Sequence, residues 1–308
     1  MARKRKGRPV HGWIVIDKPK GMSSSAVVGR VRRALDAEKA GHGGTLDPLA
    51  TGVLPIALGE ATKTVSFVMD GVKGYRCWVR FGSATSTDDA EGEVIETSDV
   101  RPTRAEIEAV LAEFTGDVVQ VPPAFSALKV DGRRAYTLAR AGEEVEMKPR
   151  TVRIDAVTLA DMPADDLAVV DVACGKGTYI RALARDLARR LGTVGHVADL
   201  RRTRSGPFRE SGAISLDSLE ALGHSAPLEE IVLPILTALD DIPALALTED
   251  EAGNMRHGMA VPANAVLARA PGTQAETGKT VVVVFADTPV ALARIEDGQI
   301  RPVRVLNL

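Results

Sequence analysis

Aromatic residues are scarce in this 308-residue chain, with phenylalanine, tryptophan and tyrosine together making up 4%. With so few rings, each Tyr or Trp outside an apolar run gains weight as a stacking or recognition group. Cysteine is scarcer still: Cys77 and Cys174 both lie in apolar, strand-like segments, and neither has a CxxC neighbour. Two cysteines exclude a disulfide-dense scaffold and, on ligand count, a structural zinc site. They read as buried reduced thiols, with a single disulfide as the alternative. Apolar runs of the roughly 20 residues that a membrane span needs are missing. The basic start, Arg3 to Arg8, is not followed by the apolar stretch of a secretion signal, so the expected location is the cytoplasm. An excess of one charge is missing too, since the formal net charge is −2. Phosphate binding needs a basic footprint, so a nucleic-acid partner would have to be met by patches. Arg and Lys do gather at Arg30 to Arg33, Arg133 to Arg140, Arg181 to Arg190 and Arg201 to Arg204, while acids collect at Asp240-Asp241 and Glu249 to Glu251. Any one of these clusters also reads as a solvated helix face.

The length suits one large domain and one small one. Trp13 to Asp17 reads as a strand closed by the turn Lys18-Pro19-Lys20-Gly21, after which Ser23 to Ser25 can cap a helix with Val27, Val28, Val31 and Leu35 on its inner stripe. Lys73 to Phe81 reads as a strand with Tyr75, Cys77 and Val79 on one face. Thr103-Arg-Ala-Glu106 is a capping box that starts a helix at Arg104. Strands follow at Thr151 to Leu159 and Leu167 to Cys174, then a helix from Tyr179 to Leu191 stopped by Gly192. The irregular interleaving lacks a repeating βαβ period. It predicts an α+β fold, a mixed and largely antiparallel sheet with helices packed on it. Short strands near the end, Val281 to Phe285, Val290 to Ile295 and Val303 to Leu306, predict a small β-rich module. The expected division is a basic tail at 1–10, a large domain at 11–242 and a small one at 243–308.

Two stretches can carry chemistry. In His42-Gly-Gly-Thr-Leu-Asp47-Pro48, glycines allow close backbone approach and Pro48 fixes the chain just after a carboxylate. Asp-Pro is also an ordinary turn pair, so a purely structural Asp47 stays open. In Cys174-Gly-Lys-Gly-Thr-Tyr179-Ile-Arg181, an arginine occupies the first turn of its helix, where the macrodipole disfavours a cation unless an anion compensates. Asp47 is one candidate anion; an Arg181 pointing to solvent is the other reading.

These segments, in their order and spacing, resemble the TruB family of tRNA pseudouridine synthases. The matching motifs are Gly12 to Ser24, Gly41 to Leu54, Lys73-Gly-Tyr75, Thr85 to Gly92, Pro122 to Gly132 with Arg134-Ala-Tyr136, Gly177 to Arg181, and Leu200-Arg201-Arg202. Ser86 departs from the family's usual acidic residue. The resemblance implies the pseudouridine synthase fold with a small, PUA-like RNA-binding module at the C-terminal end. It implies that Asp47 is the catalytic nucleophile, oriented by Arg181. His42, Tyr75, Tyr179, Leu200 and Asp89 would then meet the substrate, with Tyr75 stacking on a flipped base. Arg30, Lys129, Arg133, Arg201 and Arg202 are expected at the RNA backbone. The implied reaction is isomerisation of uridine to pseudouridine in the T-loop of tRNA, at position 55. It is redox-neutral and calls for no cofactor and no metal. The expected partner is the T-arm of tRNA, met by a monomer with no membrane and no obligate protein partner. Two rivals remain. One is a non-catalytic RNA-binding or RNA-folding protein with this fold. The other is a hydrolase that pairs Asp47 with a second carboxylate, for which Asp89 is the candidate.

Overall fold

The computed structural model describes residues 7–126, 128–130, 132–141, 143, 145–222, 227–270 and 275–308. Ten strands form the main sheet: β1 (Gly12–Lys18), β2 (Ala40–His42), β3 (Thr51–Leu58), β4 (Lys73–Phe81), β5 (Gly116–Gln120), β6 (Arg150–Ala164), β7 (Leu167–Cys174), β8 (Gly195–Ser205), β9 (Phe208–Arg209) and β10 (Ile214–Ser215). Their order is β10-β1-β3-β8-β4-β7-β6-β5, with β2 beside β3 and β9 beside β8. Only the β1–β10 and β3–β8 pairs are parallel, so the sheet is mixed and largely antiparallel, as the interleaving predicts.

The helices form where their caps and stripes predict. Helix α1 (Ser24–Ala34) is capped by the Ser23 hydroxyl, which accepts from the Ala26 N–H, and it buries Val27 and Val31. Helix α2 (Arg104–Leu111) starts at the complete Thr103/Glu106 capping box, and α3 (Ile180–Arg190) follows Tyr179. All three helices contribute to a core that also takes Tyr75, Cys77 and Val79 from one face of β4. Both cysteines are buried and free.

Strand β3 was hidden in the sequence because Pro55 interrupts its apolar run. Its partner on one side changes from β8 at Thr51 and Gly52 to β2 at Ile56 to Leu58. Pro55 sits at that changeover, where its carbonyl accepts from the Gly43 N–H and the ladder asks for no donor of its own. Gly52, at φ +96°, lets β3 pass β8 so closely that an added Cβ would lie 2.2 Å from the Arg202 carbonyl oxygen. Gly52→Ala is therefore expected to cost at least about 2 kcal/mol, read as a lowered urea midpoint at unchanged slope.

The second sheet, of five strands, runs from Ala244 to Val305 and has its own apolar core with the helix Glu249–Arg256. Its last strand leads to Leu306, which is buried with Trp13, Val15, Val53 and Phe208 on the far face of the main sheet. The expected tail ends earlier than residue 10. Val10 is buried, and Arg8 exchanges backbone hydrogen bonds with Asp36 and Glu38. Among the described residues, no helix is long and apolar enough to cross a membrane.

Candidate functional site

Asp47 lies in the loop between β2 and β3, and three buried side chains and one backbone amide hold that loop. The Ser24 hydroxyl accepts from the Leu46 N–H at 2.8 Å and donates to the Leu46 carbonyl at 3.0 Å. Lys18 is fully buried, and its ammonium donates to the carbonyls of Pro19, Met22 and Pro48. The Gly21 N–H donates to the same Pro48 carbonyl. Arg202, 1% exposed, donates to the carbonyls of Val53, Thr45 and Gly44. The peptides on both sides of Asp47 are thus fixed, while its carboxylate stays partly open to solvent.

The first-turn arginine finds its anion. The Arg181 guanidinium is buried and lies 2.9 Å from the Asp47 carboxylate and 3.4 Å from that of Asp89. The same two terminal nitrogens also donate to the carbonyls of Thr87 and Phe125, each at 2.9 Å. One planar cation therefore ties the Asp47 loop to two other loops and fixes the carboxylate direction.

Strand parity brings the apolar walls together. Leu200 lies opposite Cys77, and Arg202 opposite Tyr75, across the β4–β8 ladder, so Tyr75, Leu200 and Arg202 share the inner face. Tyr179 precedes α3, its backbone held in both directions by the buried Gln120 amide. Asp47, Tyr75, Tyr179, Arg181 and Leu200 line one cavity of about 310 Å³, at the small end of the range for small-molecule sites. A second, wider cavity adjoins it and is lined by His42, Ser23, Asp89 and Phe125, again with Asp47 and Arg181. Burial raises the phenol pKa of both Tyr75 and Tyr179, so both rings stay neutral. Burial, with Arg202 nearby, lowers the His42 pKa, and its Nδ1 has no hydrogen-bond partner among the described residues.

The structure corrects several expectations. Asp89 lies in the wall of the wider cavity, 4% exposed, and accepts from the Thr87 hydroxyl and the Glu91 N–H as well as facing Arg181. Its oxygens are committed to holding the site, which leaves it poorly placed as a substrate ligand or as the second acid of a hydrolase. Arg202 is no backbone contact for RNA: its guanidinium is spent on protein carbonyls, because its strand position points it inward. Arg201, one residue earlier, points the other way and pairs with Asp17 and Glu210. Arg30 pairs with both oxygens of Glu220, and Arg133 with Glu143. The Arg133 pair is exposed and weak enough to be exchanged for phosphate, while the arginines of the other two pairs are half-buried. The Lys129 side chain lies outside the described residues. No group of His, Cys, Asp and Glu able to hold a metal occurs among the described residues.

Lys18 was missed as a site residue, although a lysine ending a β-rich strand is an unusual thing to bury. Burial outweighs the attraction of Asp47 and Glu91 and lowers its pKa from 10.5 to about 8. The unfolded chain then keeps this proton to higher pH than the folded one. Between about pH 8 and 10.5 this lysine therefore makes folding more favourable as the pH rises. Lys18→Met is expected to remove that rise, at most about 3 kcal/mol, from the difference between denaturation curves taken at the two ends of the window.

The mixed sheet thus sets a buried arginine against a loop aspartate, beside an aromatic wall. Comparison with known proteins bears out the family resemblance. Residues 32–180 match the N-terminal domain of the TruB family pseudouridylate synthases, and residues 181–240 match the tRNA pseudouridylate synthase B C-terminal domain. The chain is 54% identical over 308 residues to the tRNA pseudouridine synthase B of Rhodospirillum rubrum, and 53% over 312 residues to that of Caulobacter vibrioides, covering all of each. Among solved structures it resembles a Cbf5-Nop10-Gar1 complex, with TM-score 0.73 and 26% identity over 96% of this chain and 85% of that one. An archaeal box H/ACA Nop10-Cbf5 complex gives 0.72 and 26%, over 100% and 93%. The chain belongs to the TruB family of pseudouridylate synthases.

Proposed function

We propose that this chain converts uridine to pseudouridine in the T-loop of tRNA, at position 55, with Asp47 as nucleophile. The observation that carries this reading is the Asp47–Arg181 pair, 2.9 Å apart, at the floor of a cavity walled by Tyr75, Tyr179 and Leu200. Relatives that match its whole length are named as tRNA enzymes, which supports tRNA as the substrate.

A base stacked in an RNA loop offers neither face to a carboxylate, so the uridine is extruded, at a cost of a few kcal/mol. Tyr75 and Leu200 replace the lost stacking, and the small cavity admits little beyond one base. His42, uncharged at neutral pH, stands in the wider cavity through which the nucleotide enters. Asp47 attacks as a preoriented carboxylate, in the manner of a retaining glycosidase nucleophile. The carboxylate bonds to C1′ as the N1–C1′ bond breaks, the uracil turns within the cavity, and C5 bonds to C1′ as the Asp47–C1′ bond breaks and the carboxylate is released. The proton on C5 is lost to water and N1 gains one, so the sum is an isomerisation without redox change. Arg133 and Arg201 exchange their carboxylate partners for phosphates, which sets affinity rather than base choice. The five-stranded sheet at the C-terminal side, residues 243–308, acts as the PUA-like RNA-binding module beside a catalytic domain at 11–242. The protein works in the cytoplasm on the T-arm as a monomer, without an obligate protein partner.

The test is tritium release from an unmodified tRNA transcript labelled at uridine C5. Release is expected from the intact transcript and not from one with cytidine at position 55. Release that persists with that cytidine in place would overturn the positional assignment. Tight binding without any release would favour the non-catalytic RNA-binding reading.

A further inference from the structure

Ser126 is 3% exposed, and its hydroxyl, set beside the Tyr179 phenol, makes no full hydrogen bond among the described residues. Leaving a buried hydroxyl incompletely hydrogen-bonded is costly, so such a group normally meets a further partner. Its backbone is anything but free. The peptide preceding it is held by Arg181, which donates to the Phe125 carbonyl at 2.9 Å, and its own carbonyl accepts from the Tyr136 N–H at 3.0 Å. The guanidinium that orients Asp47 thus also sets the place of the Ser126 hydroxyl.

That place lies on the rim between the two cavities. Thr45, Leu46, Asp47, Ser126 and Arg181 line both. If the small cavity holds the base and the wide one the rest of the RNA, the group crossing the rim is the sugar that joins them. A ribose offers one hydroxyl that DNA lacks, and that hydroxyl both donates and accepts, as serine does.

We propose that Ser126 hydrogen-bonds the ribose 2′-hydroxyl of the nucleotide whose base enters the cavity, so that the site prefers RNA to DNA at that one sugar. This rests on the function proposed above. The role is one of substrate recognition, and it predicts coupling between one side chain and one atom of the substrate.

The experiment is a double-mutant cycle in binding. T-arm hairpins carrying either uridine or 2′-deoxyuridine at the target position are titrated against the full chain, in an Asp47→Asn background so that no substrate is turned over. With Ser126 present, the deoxy hairpin is expected to bind about three- to tenfold more weakly, the worth of one hydrogen bond. Ser126→Ala should weaken the ribo hairpin by that same factor and bind the two hairpins alike. If Ser126→Ala keeps the original ratio, or if no preference exists with Ser126 in place, the proposal is overturned. Ser126→Cys, of nearly the same volume and a weaker donor, repeats the measurement should the alanine variant fold poorly. Tritium release by the wild type from the all-ribose hairpin is measured alongside. Its absence would refute the synthase reading, whereas release with an unaltered ratio refutes Ser126 alone.

Discussion

Asp47→Asn is expected to abolish pseudouridine formation, lowering single-turnover tritium release at saturating enzyme by at least about a thousandfold, the scale on which removing a nucleophile acts. The substitution keeps size and hydrogen-bonding capacity but removes the attacking charge. The loop should stay in place, because Ser24, Lys18, Gly21 and Arg202 hold its backbone and not the carboxylate. Affinity for tRNA is therefore expected to remain within a few-fold of the wild type in a filter-binding titration. A variant that retains even a tenth of the wild-type rate would remove Asp47 from the chemistry.

The second large effect belongs to Arg181. Arg181→Met deletes the cation between Asp47 and Asp89 and leaves the carbonyls of Thr87 and Phe125 without their donor. Asp89, 4% exposed, then becomes a buried charge without its cation. Breaking such a pair costs about 3–5 kcal/mol, which should appear as a lowered unfolding midpoint. The rate, measured well below that midpoint, should fall by at least about a hundredfold, because the carboxylate loses its fixed direction as well. Adding Asp89→Asn to Arg181→Met should recover part of the stability and none of the rate. Recovery of both together would mean that Arg181 serves folding alone.

How much of this could be read from the residues varies with how local the signal is. The Thr103/Glu106 capping box, the Ser23 cap and the period-2 pattern of Lys73 to Phe81 each lie within a few residues, and the helices and strand they predict are present. Arg181 was legible for an electrostatic reason. A cation in a first helical turn asks for an anion, and the structure supplies Asp47. Arg202 was misread because its neighbour is also an arginine, and a pair of arginines looks like a basic patch until the strand is known. Only pairing with β4 assigns Arg202 to the inner face with Tyr75, and Arg201 to the outer. Strand β3 was hidden by Pro55, whose tolerance depends on a change of its neighbour from β8 to β2, a strand far off in sequence and a strand close by. The buried state of Lys18 is equally non-local. It exists because three carbonyls from two turns converge on one ammonium, and none of them is marked in the sequence as an acceptor in need of a donor.

Leu306 gives the second sheet a different standing from that of a domain on a flexible tether. Its side chain is 2% exposed among Trp13, Val15 and Val53, while Glu60 accepts from the Asn307 N–H and Lys63 donates to the Val305 carbonyl. Swinging the two sheets apart would hydrate this leucine and the ring of Trp13, a penalty of about 2–3 kcal/mol for the leucine alone. The pair of sheets behaves as a caliper with a locked hinge. An RNA that touches both is measured against one fixed span, and its own shape must supply whatever bending the fit requires.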